Sequence, residues 1–456
     1  MRIALPGAAG PMGFLCALVL GIGGVSHAQT RARAPYPDPP GHELDSLMAL
    51  ARRSSPTVSA AEARLKVARA GVGPAAALPD PMLMAGVVNL PLGSPGFRDE
   101  MTMKMIGIEQ TLPFPGKRGL RREAASRAVE GAEAEVEEVR REAARDVAVA
   151  WFDLALADSL RWLTERQHQL LLTVARAVQA GYSAGRGGQE DPLRVQTELV
   201  RLSGEVAALE VERTRALARL NARLGRPSGV PVGPAGYPAR FPGAALAATD
   251  GVPTFADTTL GAFAAGSSLP SIDTLQAQVL ATSPMIRAHL AELAAQAVRV
   301  DLAAREARPD LTLGLQYGQR AGMTDMVSAT VSLPIPLWRG RKQRQVAAAE
   351  RATLDALEHE HHRMASALEA EVLDLAQTTE LHRTRLALLQ AGVLPRARAA
   401  AAAALAGYRT GRTSFQGVLD TYMALYADEA DAVRLLTEYA KAVVALEALL
   451  GREITS

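Results

Sequence analysis

The sequence predicts a mainly helical protein with a small β part, built twice over within one chain. Three observations carry this. Gly181-Tyr182-Ser183-Ala184-Gly185-Arg186 returns 226 residues later as Gly407-Tyr408-Arg409-Thr410-Gly411-Arg412, and Leu224-Gly225-Arg226 returns at the same distance as Leu450-Gly451-Arg452. Two separate words sharing one offset mark a tandem duplication. Long stretches carry apolar residues in alternating steps of three and four, the spacing of a coiled-coil seam. Short segments in each half alternate instead with period two, as strands do.

The first element is a leader. Arg2 is the only charge before Arg31, Met12 to Val25 is an apolar run, and Ser26-His27-Ala28 offers small residues at the −3 and −1 positions. Residues 1–28 therefore read as a secretory signal peptide. An uncleaved membrane anchor is the rival, weakened by Pro6 and Pro11. Cys16 follows Leu15, where lipoprotein processing wants a small residue, so lipidation is not expected. As the only cysteine in the chain, it also excludes a disulfide framework, a Cys-ligated zinc site and a CxxC redox pair. Beyond the leader no run of 18 apolar residues exists, so no further membrane helix is expected.

The first repeat spans 29–226. It opens with an Ala/Leu helix near 57–72 led in by Ser55-Pro56. A strand pair at about 81–112 follows, in which Met101, Met103 and Met105 alternate with Thr102 and Lys104. From Lys117 to Tyr182 the seam Val129, Ala132, Val136, Val139, Ala143 predicts one helix of about 66 residues, roughly 100 Å long. The Gly-rich turn 185–188 reverses the chain, and Val195, Leu199, Leu202, Val206 and Leu209 carry the seam back, completing a helical hairpin over about 117–225. Residues 227–270, rich in Pro, Gly, Ala and Thr, read as an inter-repeat linker.

The second repeat, 271–452, repeats this order. Ser283-Pro284 leads into a helix near 285–306. At about 310–333 Leu311, Leu313, Leu315 and Tyr317 alternate with polar residues and glycines, then Val327, Ala329 and Val331 with Ser328, Thr330 and Ser332. A long helical hairpin occupies about 341–451, with a kink expected at Pro395. Strands of about ten residues suffice to cross a bilayer when tilted, although soluble edge strands reach that length too. Four strands cannot close a membrane barrel alone, since barrels start at eight, so several chains must share one.

The ordered duplication of helix, strand pair, long helix, Gly-Tyr-x-x-Gly turn and returning helix with Leu-Gly-Arg resembles the TolC family of outer-membrane efflux ducts, over residues 43–452. The resemblance implies a homotrimer in the outer membrane of a Gram-negative-type bacterium. Its protomers would share a 12-stranded barrel embedded in outer-membrane lipid and continuous with a long periplasmic α-helical barrel. It further implies a passive conduit opened at its periplasmic tips by an adaptor protein and fed by an inner-membrane pump. By the same resemblance Tyr408 and Asp420 fall on gate positions and Asp191 on the first-half acid that partners Tyr408. The family's second gate acid falls on Gly417, and Arg412 sits one position early. The turn residues Gly181, Tyr182, Gly185 and Arg186, with Gly407, Gly411 and Arg412, become the expected adaptor contacts. The alternative for Asp191 and Asp420 is that each caps a returning helix.

Other classes find little support. Fifty basic residues against 48 acidic ones leave a net charge of +2, without the basic surplus of a nucleic-acid binder. No GxxxxGK[ST], HExxH or GxSxG pattern occurs, so no enzymatic activity and no cofactor is expected. His359, His361, His362 and Met364, beside Glu358 and Glu360, read as a solvated helix face rather than a metal site. Met82, Met84, Met101, Met103 and Met105 read as lipid-facing hydrophobes. Phe114 and Trp338 sit at corresponding strand ends, as an interfacial belt requires. A trimeric coiled-coil adhesin or stalk is the main alternative, though it would not need two hairpins in corresponding positions. The sequence does not distinguish a metal cation, drug or peptide cargo, although the methionines and histidines lean towards copper or silver export.

Overall fold

A computed structural model describes residues 40–91, 99–185, 188–238, 240–241 and 269–454. The leader, Arg186 and much of the inter-repeat segment lie outside them. All described residues belong to one compact unit, Asp38–Ser456.

In chain order the first half supplies α1 (Pro40–Ser54), α2 (Pro56–Ala76), β1 (Met82–Val88), β2 (Met103–Leu112), α3 (Lys117–Ser183) and α4 (Glu190–Arg223). The second supplies α5 (Ile272–Thr282), α6 (Pro284–Arg305), β3 (Leu311–Arg320), β4 (Met326–Ser332), α7 (Gln343–Leu388), α8 (Leu394–Arg409) and α9 (Phe415–Leu450). Corresponding helices start by the same chemistry. The Ser55 hydroxyl accepts from the Val58 amide at 3.2 Å, and that of Ser283 from Ile286 at 3.4 Å, each with proline at the first helical position. Helix α3 runs 67 residues without a break. Its counterpart is interrupted by a π-helical turn, Leu389–Val393, which ends two residues before Pro395. Proline lacks the N–H that would continue the ladder and its ring crowds the carbonyl four residues back, so the wider turn absorbs the kink.

The main core lies halfway along the helices. Trp151, Phe152 and Leu154 of α3, Leu220 of α4, and Leu436 and Val443 of α9 are fully buried there. Residues 227–238 and 240–241 are built into it: Tyr237 stacks on Phe152, Phe241 packs edge-on against Phe152, and the Trp151 indole N–H donates to the Gly236 carbonyl at 2.7 Å. Tyr237 and Thr437 share a hydroxyl hydrogen bond at 2.6 Å, and Arg240 pairs with Glu447 at 2.9 Å. This segment therefore bolts the two halves together, where the sequence suggested only a connector.

The four strands form one antiparallel sheet in the order β1-β2-β3-β4. Opposed residues share a face, so the register sorts every side chain. One face carries Leu83, Ala85 and Val87, then Ile106 and Ile108, then Leu313, Leu315 and Tyr317, then Val327, Ala329 and Val331. Most of these large hydrophobics are exposed, which on an open sheet marks a lipid-facing surface. The opposite face carries Glu109, Thr111, Thr312, Gln316, Arg320, Ser328, Thr330 and Ser332, interleaved with glycines.

The methionines are a correction. Met82, Met84, Met103 and Met105 lie on the polar face, and it is Lys104 that shares the apolar face with Ile106 and Ile108. Hydropathy within one strand scores methionine as greasy, whereas the face is fixed by which residues lie across the ladder. Lys104 stands near the end of β2 remote from the helices, where a long stem lets an ammonium reach the membrane surface. Met101 precedes the strand and is exposed.

Below the strands, Lys117 locks both halves. It is 1 % exposed, and its ammonium reaches the Arg308 carbonyl at 2.7 Å, Asp310 at 2.8 Å and Glu306 at 3.0 Å. Arg121 adds a second bond to Glu306 at 2.8 Å, the Phe114 amide donates to Asp310 at 2.8 Å, and the Arg308 guanidinium lies over the Phe114 ring. Burial pushes the Asp310 carboxyl up, but the Lys117 and Phe114 hydrogen bonds and the Lys117 and Arg121 charges outweigh it, leaving the group below its ordinary range. Its contribution is thus present at neutral pH and lost as pH falls through that lowered value.

The sorted faces predict a labelling pattern. In a Cys16→Ser background, Gln316→Cys and Met105→Cys should react with a membrane-impermeant maleimide, while Leu315→Cys and Ile106→Cys should resist it. The reverse pattern would invert the two faces.

Candidate functional site

The candidate site is the end of the helical hairpins remote from the sheet. In the first hairpin α3 ends as the Ala184 amide donates to Ala180 and Gly181 and that of Gly185 to Tyr182, with Gly185 at φ +71°. In the second, Gly411 at φ +74° donates to the Tyr408 carbonyl and Arg412 to that of Gly407. Glycine is required at 185 and 411 by conformation. At Gly407 the requirement is space, since a Cβ would stand 2.2 Å from the Thr413 hydroxyl. Tyr182 is exposed, Arg412 turns its guanidinium to the Thr410 hydroxyl at 3.1 Å, and Arg186 lies outside the described residues.

Hydrophobic packing joins the tips. Phe415 is buried among Leu171, Val174 and Val178 of α3 and Val195 and Leu202 of α4, and Tyr408 packs on this cluster, edge-on to Phe415 at 6.2 Å. Burial raises the Tyr408 hydroxyl above its ordinary pKa, and the Asp191 carboxylate adds in the same direction. No hydrogen bond joins Tyr408 to Asp191 among the described residues. Asp191 lies in the first turn of α4 beside Glu190, where carboxylates favour the positive end of the helix dipole.

Asp420 does not cap its helix. Ser414 does, accepting from the Gly417 amide at 3.2 Å. Asp420 sits more than a turn inside, exposed, and accepts from the Gln416 side chain at 2.6 Å. The Gln416 carbonyl oxygen in turn receives Arg194 of α4. The polar link between the hairpins is therefore Arg194, Gln416 and Asp420. Sequence reasoning missed the first two. The available signal was helical spacing: Arg194 stands three residues past Asp191, and Gln416 four before Asp420, so each pair shares a helix face.

Further from the tip α9 continues a polar ladder. The Tyr426 hydroxyl bonds Glu205 at 2.7 Å and Thr164 at 2.8 Å, and burial is the main cause that takes it up to about 12. Glu429 pairs with Arg398 at 2.7 Å and Arg166 at 3.6 Å, and Lys441 with Asp153 at 2.7 Å. The histidines lie elsewhere. His361 of α7 stacks at 5.6 Å on the buried His289 of α6, so it is half-covered, while His359 and His362 are exposed. Among the described residues no His, Cys, Asp and Glu group could hold a metal ion.

Residues 47–226 and 275–452 match the outer membrane efflux protein family. Over 411 residues the chain is 25 % identical to the cobalt-zinc-cadmium resistance protein CzcC of Cupriavidus metallidurans, covering 90 % of each. Its fold is similar to that of the outer-membrane channel OprN, with a TM-score of 0.72 at 20 % identity, covering 90 % of this chain and 89 % of that one. It is also similar to CusC, studied for folding and transmembrane channel formation, with a TM-score of 0.73 at 16 % identity over 92 % and 96 % of the two chains.

The cap assignment predicts that Ser414→Ala costs about 1 kcal/mol of stability and lowers the melting temperature followed by circular dichroism. Asp420→Ala, which removes one exposed hydrogen bond, should lower it less.

Proposed function

Because the chain belongs to the outer membrane efflux protein family, we propose that three copies of this outer-membrane efflux duct close one barrel and conduct heavy-metal cations. A periplasmic adaptor and an inner-membrane pump supply the cargo. The observation that carries the assembly is the sheet itself. It has an apolar outer face and pairs neither the free edge of β1 nor that of β4 among the described residues. Joining β4 of one copy to β1 of the next satisfies both edges, and three copies give twelve strands, within the range of known barrels. The metal cargo is supported by likeness to CzcC along nearly the whole chain.

In this reading the duct performs no chemistry. The energised pump drives transport, and the protomer supplies a wall and a gate. The gate comprises Asp191, Tyr408 and Asp420, held closed by the Arg194–Gln416–Asp420 link. The adaptor engages the turns at Gly181, Tyr182, Gly185 and Arg186 and at Gly407, Gly411 and Arg412. Three Asp420 carboxylates about one symmetry axis would ring a narrow entrance and favour cations. The adhesin reading has no observation in its favour.

A deletion strain should become sensitive to cobalt, zinc or cadmium and keep its tolerance of organic drugs, and plasmid-borne protein should restore growth. Sensitisation to drugs alone would overturn the cargo assignment. In planar bilayers under a salt gradient, Asp420→Ala should move the reversal potential toward lower cation selectivity. The shift should be larger at low salt, because such charges are screened. Equal reversal potentials would remove Asp420 from the entrance.

A further inference from the structure

The polar face of the sheet holds a feature that the duct reading does not require. All five methionines within the described strands, Met82, Met84, Met103, Met105 and Met326, fall on that face, while the leucines and isoleucines of the strand interiors fall on the other. Apart from Val88, opposite Met103, the branched hydrocarbons of the strands are kept off this face, a separation that a need for apolar bulk alone does not explain.

Three of the methionines surround one glycine. Gly318 of β3 is paired with Met105 on one side and Met326 on the other. A Cβ on Gly318 would stand 3.6 Å from the Met103 sulfur and 3.8 Å from Met105 Cγ, so both side chains already lean over the bare backbone. Met105 is also opposite Gly86 on β1, which keeps its other flank open. Met105 and Met326 stand two strand spacings apart, about 10 Å, with no side chain between them, and each unbranched stem can reach inward over the gap. The nearest cation on this face, Arg320, opposite Met103, is turned away. Its guanidinium donates to the Thr324 carbonyl at 3.0 and 2.8 Å.

We propose that Met103, Met105 and Met326 form a thioether site for soft monovalent cations, Cu(I) or Ag(I), on the lumenal wall near the end of the barrel remote from the helices. Thioether sulfur selects such ions over harder divalent ones, and it carries no charge, so the ion is held by softness alone. A neutral site of this kind holds Cu(I) or Ag(I) and leaves the duct's proposed divalent cargo free to pass. The inference rests on the duct reading, because the polar face must meet water.

The test uses the full chain in detergent with Ag⁺ as probe in chloride-free buffer, read by equilibrium dialysis and silver K-edge absorption. Wild type should bind with a sulfur shell, and Met103→Leu/Met105→Leu/Met326→Leu, which preserves bulk, should weaken binding roughly tenfold or more. Met364→Leu, on α7, should change nothing. Unaltered binding in the triple variant, or binding without sulfur, would overturn the site. Maleimide labelling of Gln316→Cys separates the two failures. If it labels and the triple variant binds Ag⁺ as wild type does, the site alone is wrong. If it does not label, the duct reading and the site fall together.

Discussion

In hydrocarbon every backbone N–H and C=O must find a partner within protein, since an unsatisfied group there costs several kcal/mol. Among the described residues the sheet ends in two unpaired edges and turns an apolar face outward. It cannot lie in a membrane alone, and most other features answer to that. Duplication supplies two hairpins of like length that pair through β2 and β3 over ten residues, giving each chain a wide segment of wall. The remaining edges, seven residues each on β1 and β4, are matched in length for a neighbouring copy. Closure is thus a property of the assembly, and the chain is a complete unit only for the helical part below.

Passing from sheet to helix is the second constraint, met with charge rather than grease. A lone buried ammonium would be strongly destabilising. Lys117 is tolerated because two carboxylates and a carbonyl converge on it, and because Glu306 is shared with Arg121. Both partners come from the segment after α6, so the start of α3 in the first half is held by the second. The aromatic groups nearby divide the labour. Phe114 is covered by Arg308, while Trp338 with Ile335 and Leu337 stays exposed at the level where an interfacial belt would lie.

Periodicity made the helices legible because a helical seam is a local property: Val136, Ala143, Val195 and Leu202, chosen by spacing, are all buried. The reversing glycines were legible for the same reason, as a positive φ is a demand on one residue. What escaped is what depends on a partner far along the chain. The β2 methionines face the polar side because of their pairing with β3, more than 200 residues later, and hydropathy within one strand cannot see it. Arg194 meets Gln416 across 222 residues. Trp151 finds its acceptor at Gly236, in a segment whose composition suggested a loose connector. The cap that stood as the alternative for Asp420 falls to a local residue, since Ser414 already fills that role.

The two hairpins are alike in plan and unequal in mechanics. Contacts that tie them together come mainly from α9, and their strength is graded along it. At the tip, Arg194, Gln416 and Asp420 are exposed, and such bonds contribute 0–1 kcal/mol each. Tyr426 is partly covered and Glu429 buried, and beyond them α9 enters the core of Trp151, Leu436 and Val443, where separation would expose packed hydrocarbon at about 25 cal/mol per Å². An outward swing of the second hairpin therefore gives up weak polar bonds and uncovers the buried aromatic Phe415 at its end, whereas at its middle it would have to open the main core. Glu429 holds Arg398 of α8, so α8 and α9 would move as a pair. The π-helical turn before Pro395 lies between that moving end and the core, and α3 has no equivalent break. Any opening that preserves the core must bend the second hairpin below this turn and leave the first nearly straight.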